Sequence, residues 1–118
     1  MKEFLMLIRE NADYGTMTPQ EMQEDIERHI QWVEALVNSG HFSSSNPLMQ
    51  EGTVIKGKDK IVTDGPFVES KECISGYYFL RATSLAAATE IAKGCPALMA
   101  GATLEIREIM PVDDAPGQ

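Results

Sequence analysis

The chain has 118 residues, 43% of them hydrophobic, and a formal charge of −8 from 18 acidic against 10 basic side chains. That length suits one domain, able to bury roughly 65% of its unfolded surface without disulfides or metals. The acidic balance, with no block of Lys and Arg, disfavours direct nucleic-acid binding, and no run approaches the ~20 apolar residues of a membrane helix. No small-residue cleavage site follows the first apolar run, so no signal peptide is expected. Cys73 and Cys95 lack C-x-x-C spacing and read as free thiols in a reducing cytoplasm.

Residues 4–8 (FLMLI) are an unbroken apolar run, too short to favour a helix and read as a strand covered on both faces. Residues 10–17 carry Asn11, Asp13 and Gly15, which is loop chemistry. Thr18, Pro19, Gln20 and Glu21 have capping-box spacing, with proline at the first helical position, where its missing N–H costs nothing. The helix they open is predicted to reach Ser39 and to stop at Gly40. Along it Met22, Ile26, Ile30, Val33, Leu36 and Val37 form an apolar stripe expected to face the core. His29 falls inside that stripe, away from Glu24, Glu27 and Gln31. An imidazole so placed needs a polar partner or stays neutral at a cost.

Residues 41–45 predict a short strand ended by the Asn46-Pro47 turn signal, and 53–56 with 60–63 predict a hairpin around Gly57, Lys58 and Asp59. Asp64 and Gly65 then suit a turn, which Pro66 rigidifies by fixing its own φ and lacking an N–H. Residues 74–82 are the most aromatic strand, apolar on both faces, with Gly76 marking a bulge or a close backbone approach. Ser84 caps a second helix that runs to Lys93 and stops at Gly94. Residues 103–110 predict a last strand, with Leu104, Ile106 and Met110 on one side and Glu105 and Arg107 on the other. The expected domain is therefore 1–110, followed by a loose tail over 111–118.

This order gives an α+β fold, an antiparallel sheet with both helices on one face. Two strands apolar on both sides leave the second face to be covered, and a second copy of the chain is the simplest cover, giving a two-fold homodimer with sheets back to back.

The string TDGPFVESKE at residues 63–72 resembles the signature of the DGPF branch of YCII-related proteins. His29, Ile30, Gln31 and Trp32, through Ser39 and Gly40, resemble the YCII helix. The second helix, Cys95-Pro96 and residues 104–107 are similar too, so the resemblance spans all but the tail. It implies a ferredoxin-like fold forming a dimeric α/β barrel, similar to muconolactone isomerase and the antibiotic monooxygenases. It also implies an acid/base pair of His29 and Asp64, with Glu10 at the place of a further acid, and cofactor-independent chemistry without haem or flavin. Some members of the branch are associated with transcription initiation.

Histidine takes or gives a proton near neutral pH, and a carboxylate in hydrogen-bond reach fixes its tautomer. Such a pair in a pocket walled by Trp32, Pro66, Phe67 and Tyr77 suits a lyase, isomerase or elimination reaction on a small polar organic molecule. The competing reading makes His29 a core histidine bonded to main chain and Asp64 a turn cap. The protein is then a non-catalytic ligand-binding or regulatory dimer, any link to transcription passing through a protein partner. His29, His41 and the two cysteines show no metal-ligand spacing, so no metal site is expected.

Overall fold

The computed structural model describes residues 1–11, 17–65 and 72–112. Strand β1 (Lys2–Asn11) leads to α1 (Pro19–Asn38), β2 (Phe42–Pro47), the arms β3 (Gly52–Lys56) and β4 (Ile61–Gly65), β5 (Glu72–Ala82), α2 (Leu85–Ala92), a short 3-10 helix (Pro96–Ala100) and β6 (Thr103–Glu108). Four strands form one sheet in the order β2-β5-β1-β6, while β3 and β4 pair only with each other. Every pairing is antiparallel. Each helix connects two parallel strands that flank a third, so both crossovers carry their helix to the same face. This is the ferredoxin-like α+β arrangement.

Period-two alternation decides which side chains meet the helices. Phe4, Met6 and Ile8 of β1 and Tyr78, Leu80 and Ala82 of β5 are buried together with Leu36 of α1 and with Ala88 and Ala92 of α2. Phe4, Met6 and Leu80 are completely enclosed, each worth about 1.5–3 kcal/mol of hydrophobic stabilisation. The small alanines let α2 lie close to the sheet. Ser75 is the extra residue of a bulge in β5, since Ile8 pairs with Gly76 and Arg9 with Ile74. Gly76 is also a close approach: a Cβ there would sit 3.2 Å from the Asn46 carbonyl oxygen of β2.

The capping box forms as its spacing predicts, with the Glu21 amide donating to Thr18 Oγ1 at 3.1 Å and the Thr18 amide to the Glu21 carboxylate at 3.3 Å. The buried seam of α1 differs from the predicted stripe. Leu36 is buried and Asp25, His29, Trp32 and Val33 are half-buried, whereas Met22, Ile26, Ile30 and Val37 face outward. The apolar surface of this helix is wider than the face the sheet covers, and the aromatic pairing of Trp32 with Tyr78 sets which part turns inward.

Two turn signals are overridden by strand pairing. Asn46 and Pro47 continue β2 opposite Tyr77 and Gly76, which proline tolerates because β2 is an edge strand. Asp64 and Gly65 likewise continue β4, opposite Thr53 and Gly52. The hairpin turn instead uses positive φ at Gly57 and Lys60, closed by the Lys60 amide on the Gly57 carbonyl at 3.1 Å. Lys60 therefore belongs to the turn and not to the second arm.

On the face away from the helices, Leu5 pairs across from Phe79 and Leu7 from Tyr77. All four are half-buried within the single chain. Ion pairs border them, Arg81 with Glu3 at 3.1 Å and Arg9 with Glu105 at 3.6 Å.

Candidate functional site

The long helix and the second-from-edge strand β5 bring His29, Asp25 and Tyr78 together. His29 lies on the inner side of α1 and its Nδ1 is 3.0 Å from the hydroxyl of Tyr78. One helical turn earlier, Asp25 places a carboxylate oxygen 3.7 Å from His29 Nε2. The i, i+4 spacing sets that second contact, with the acid on the N-terminal side, the favourable order for a cation that follows it. The His29 side chain keeps 24% of its surface exposed, so the ring is anchored at one nitrogen and remains accessible to solvent.

Tyr78 is the hub of this cluster. Its ring meets Trp32 edge-on at 5.1 Å and Phe42 at 6.4 Å, and lies nearly parallel to the His29 ring at 6.5 Å. Burial, reinforced by Cys95 and Asp25 and opposed by a hydrogen bond from Ser45, pushes the phenol up to about 12. Tyr78 is therefore protonated throughout the neutral range and carries a hydrogen for an acceptor. Its oxygen also accepts, so the hydroxyl can serve either tautomer of His29.

Cys95 is buried below, after α2, and burial pushes its thiol up to about 11. The Ala97 backbone works against that shift, while the charges of Asp25 and Glu10 add to it. Such a thiol is a packing group, not a nucleophile. Glu10 on β1 and Asp25 on α1 are both half-buried. Glu10 also adds to the upward shift that burial imposes on Cys73, its cross-strand neighbour.

Trp32 is held by a tight contact. A Cβ at Gly94 would lie 2.9 Å from the Trp32 indole nitrogen, so the bare backbone at the end of α2 makes room for that ring. Gly94 thus serves the tertiary contact as well as ending the helix.

The predicted site residues divide between two regions. His29 and Trp32 meet at Tyr78, while Glu10 is half-buried on β1, with Cys73 as its cross-strand neighbour. Asp64 is exposed on the β3–β4 hairpin, opposite Thr53, and among the described residues no hydrogen bond or ion pair joins it to His29. Tyr77 points to the open face, where it packs against Phe79 and accepts a hydrogen bond from Asn46 at 3.1 Å. Pro66 and Phe67 lie outside the described residues. Asp25 and Tyr78 are the members that sequence reasoning passed over. The first was signalled by its i, i+4 spacing to His29, the second by sharing strand parity with Leu80 and Ala82. His41 bonds through Nδ1 to the Arg81 carbonyl at 2.8 Å and takes no part in the cluster. Among the described residues no group of three or more His, Cys, Asp and Glu is arranged to hold a metal ion.

The family model of the YCII-related domain matches residues 3–113, nearly the whole chain. The chain belongs to the YCII-related family. No curated protein matches it. Within this YCII-related chain, no helix among the described residues is long and apolar enough to cross a membrane. The arrangement around His29 can hold an imidazole in a fixed orientation, balance a positive charge on it, and leave it in reach of a small molecule.

Proposed function

We propose that this YCII-related protein is a cofactor-independent acid/base enzyme, of lyase, isomerase or elimination type, acting on a small polar organic molecule. One observation carries the reading: His29 is tied through Nδ1 to a neutral, buried phenol while its outer nitrogen faces Asp25 and its side chain stays partly exposed. In the working form Nδ1–H donates to the Tyr78 oxygen and Nε2 carries the free lone pair. Nε2 takes a proton from a carbon next to a carbonyl, and the imidazolium that forms is balanced by Asp25. The same nitrogen then returns the proton to the neighbouring carbon or to a departing group. Proton transfer of this kind contributes about 10²–10⁴-fold in rate. Glu10 is a further acid bordering the site, and Asp64 joins the reaction only where a contact outside the single chain delivers it.

In this reading the protein is a cytoplasmic homodimer of the DGPF branch. The apolar pairs Leu5–Phe79 and Leu7–Tyr77, ringed by ion pairs, form the face that a second sheet covers. The TDGPF string at residues 63–67 supports the branch, and the free thiols Cys73 and Cys95 support the compartment. A non-catalytic ligand-binding dimer predicts the same fold but no turnover. The test is a thermal-shift screen with small carboxylic acids, lactones and phenols, followed by turnover assays on every compound that stabilises the protein. Turnover that disappears in His29→Ala supports the enzyme; stabilisation without turnover assigns the binding role.

A further inference from the structure

Two apolar surfaces on this chain have no cover among the described residues, and they match each other. On α1, Met22, Ile26, Ile30 and Val37 remain 46, 46, 52 and 55% exposed. They follow one side of the helix for about 22 Å, at ~1.5 Å per residue. On the hairpin, Ile55 and Val62 face each other across the strands and remain 65 and 61% exposed. Five-residue arms span about 17 Å, at ~3.4 Å per residue. A two-stranded hairpin is marginal in water without something to pack on. Here β3 and β4 pack on each other and on no other element to a comparable extent.

The charges match as well. Lys56, Lys58 and Lys60 cluster at the hairpin turn of a chain whose net charge is −8. Among the described residues none of the three is in an ion pair. Beside the α1 stripe stand Glu27 and Glu34, one on each side of Ile30 in sequence and both exposed, with no cationic partner among the described residues. The shape of the chain is consistent with a projecting arm. Its radius of gyration is 16.1 Å, against about 13–14 Å for a compact domain of this length.

We infer that the β3–β4 hairpin is an exchanged arm. The Ile55–Val62 face of one copy lies along the Met22–Ile26–Ile30–Val37 stripe of a second copy, and the lysine-bearing turn meets the second copy's Glu27 and Glu34. The exchange is reciprocal, as two-fold symmetry requires. It covers both patches at once and gives the hairpin the packing partner it lacks. Asp64 shares the docking face with Ile55, Val62 and Thr53, so the same contact carries the acid onto the helix that bears His29. This inference rests on the homodimer proposed above but names a surface separate from the open sheet face.

The test uses the full chain, prepared unlabelled and uniformly 15N-labelled, mixed, and coupled with a zero-length carbodiimide. The expected result is mixed-isotope cross-links between Lys56, Lys58 or Lys60 and Glu27 or Glu34. A second arm uses charge exchange read by sedimentation velocity. Lys58→Glu with Lys60→Glu should weaken self-association about tenfold or more, and adding Glu27→Lys with Glu34→Lys in the same chain should restore it. A dimer that persists with no arm-to-helix cross-link between isotopes, or with association unchanged in the lysine variant, overturns the arm and leaves the sheet-face dimer standing. A chain that stays monomeric across the concentration range overturns both.

Discussion

Raising the pH above 10 should destabilise this protein through Tyr78. An ordinary tyrosine ionises near 10, as it does in the unfolded chain, whereas burial holds the folded Tyr78 up to about 12. Because the folded state binds this proton more tightly, the stabilisation is complete below pH 10. It is lost as pH rises from 10 through about 12. Two pH units correspond to roughly 2–3 kcal/mol as a ceiling, a large part of a small domain's stability. Cys95, held up to about 11 against an ordinary 9, acts in the same direction from pH 9 upward. The two contributions overlap, since each negative charge raises the other group. The assay is urea unfolding at half-unit steps from pH 8 to 11.5, with phenolate absorbance recorded on the folded protein. Stability should fall progressively above pH 10 in the wild type and by clearly less in Tyr78→Phe, and the phenolate absorbance that Tyr78→Phe removes should rise well above pH 10. If the absorbance lost in Tyr78→Phe rises near pH 10, or if Tyr78→Phe loses stability as steeply, Tyr78 is not the buried hub described here.

Gly94→Ala should destabilise by about 1–3 kcal/mol and alter tryptophan fluorescence, because the new methyl meets the only indole ring at 2.9 Å. Thr18→Ala removes the cap of α1 and should cost about 1 kcal/mol in urea unfolding, with little change at the Tyr78 cluster. Leu80→Ala empties a fully enclosed site at the centre of the sheet and should cost about 2–5 kcal/mol, read as a drop in melting temperature.

Local chemistry made some of this structure readable. The capping box of α1 and the Ser84 cap of α2, whose hydroxyl accepts the Ala87 amide at 3.1 Å, depend on residues three apart and form as their spacing implies. Gly76 was also readable, since a glycine inside an aromatic strand signals close approach. Tertiary context decided the rest. Which third of α1 turns inward depends on Trp32 and His29 finding Tyr78, a partner about fifty residues away that helical periodicity does not contain. Turn propensity at Asp64 and Gly65 gave way to pairing with Thr53 and Gly52, because strand hydrogen bonds satisfy those backbone groups equally well. The 3-10 helix at Pro96–Ala100 was signalled only by Cys95-Pro96, a proline in the first position of a helix too short for periodicity to register.

His29 was readable as an oddity on an apolar helix face, but its company was not. Tyr77 and Tyr78 are adjacent in sequence and lie on opposite faces of β5, and the bulge at Ser75 shifts the register on which a choice between them rests. The single-residue alternation that separates a wall of the open face from the hub of the cluster is the least robust signal in a strand.

The most direct measurement of His29 as a proton carrier is exchange of substrate carbon-bound hydrogen in D₂O. Each carbonyl compound that stabilises the fold is incubated with enzyme and followed by proton NMR. The account predicts exchange next to the carbonyl of at least one such compound, slowed by about a hundredfold or more in His29→Ala and by less in Tyr78→Phe. Exchange at the wild-type rate in a folded His29→Ala would contradict it.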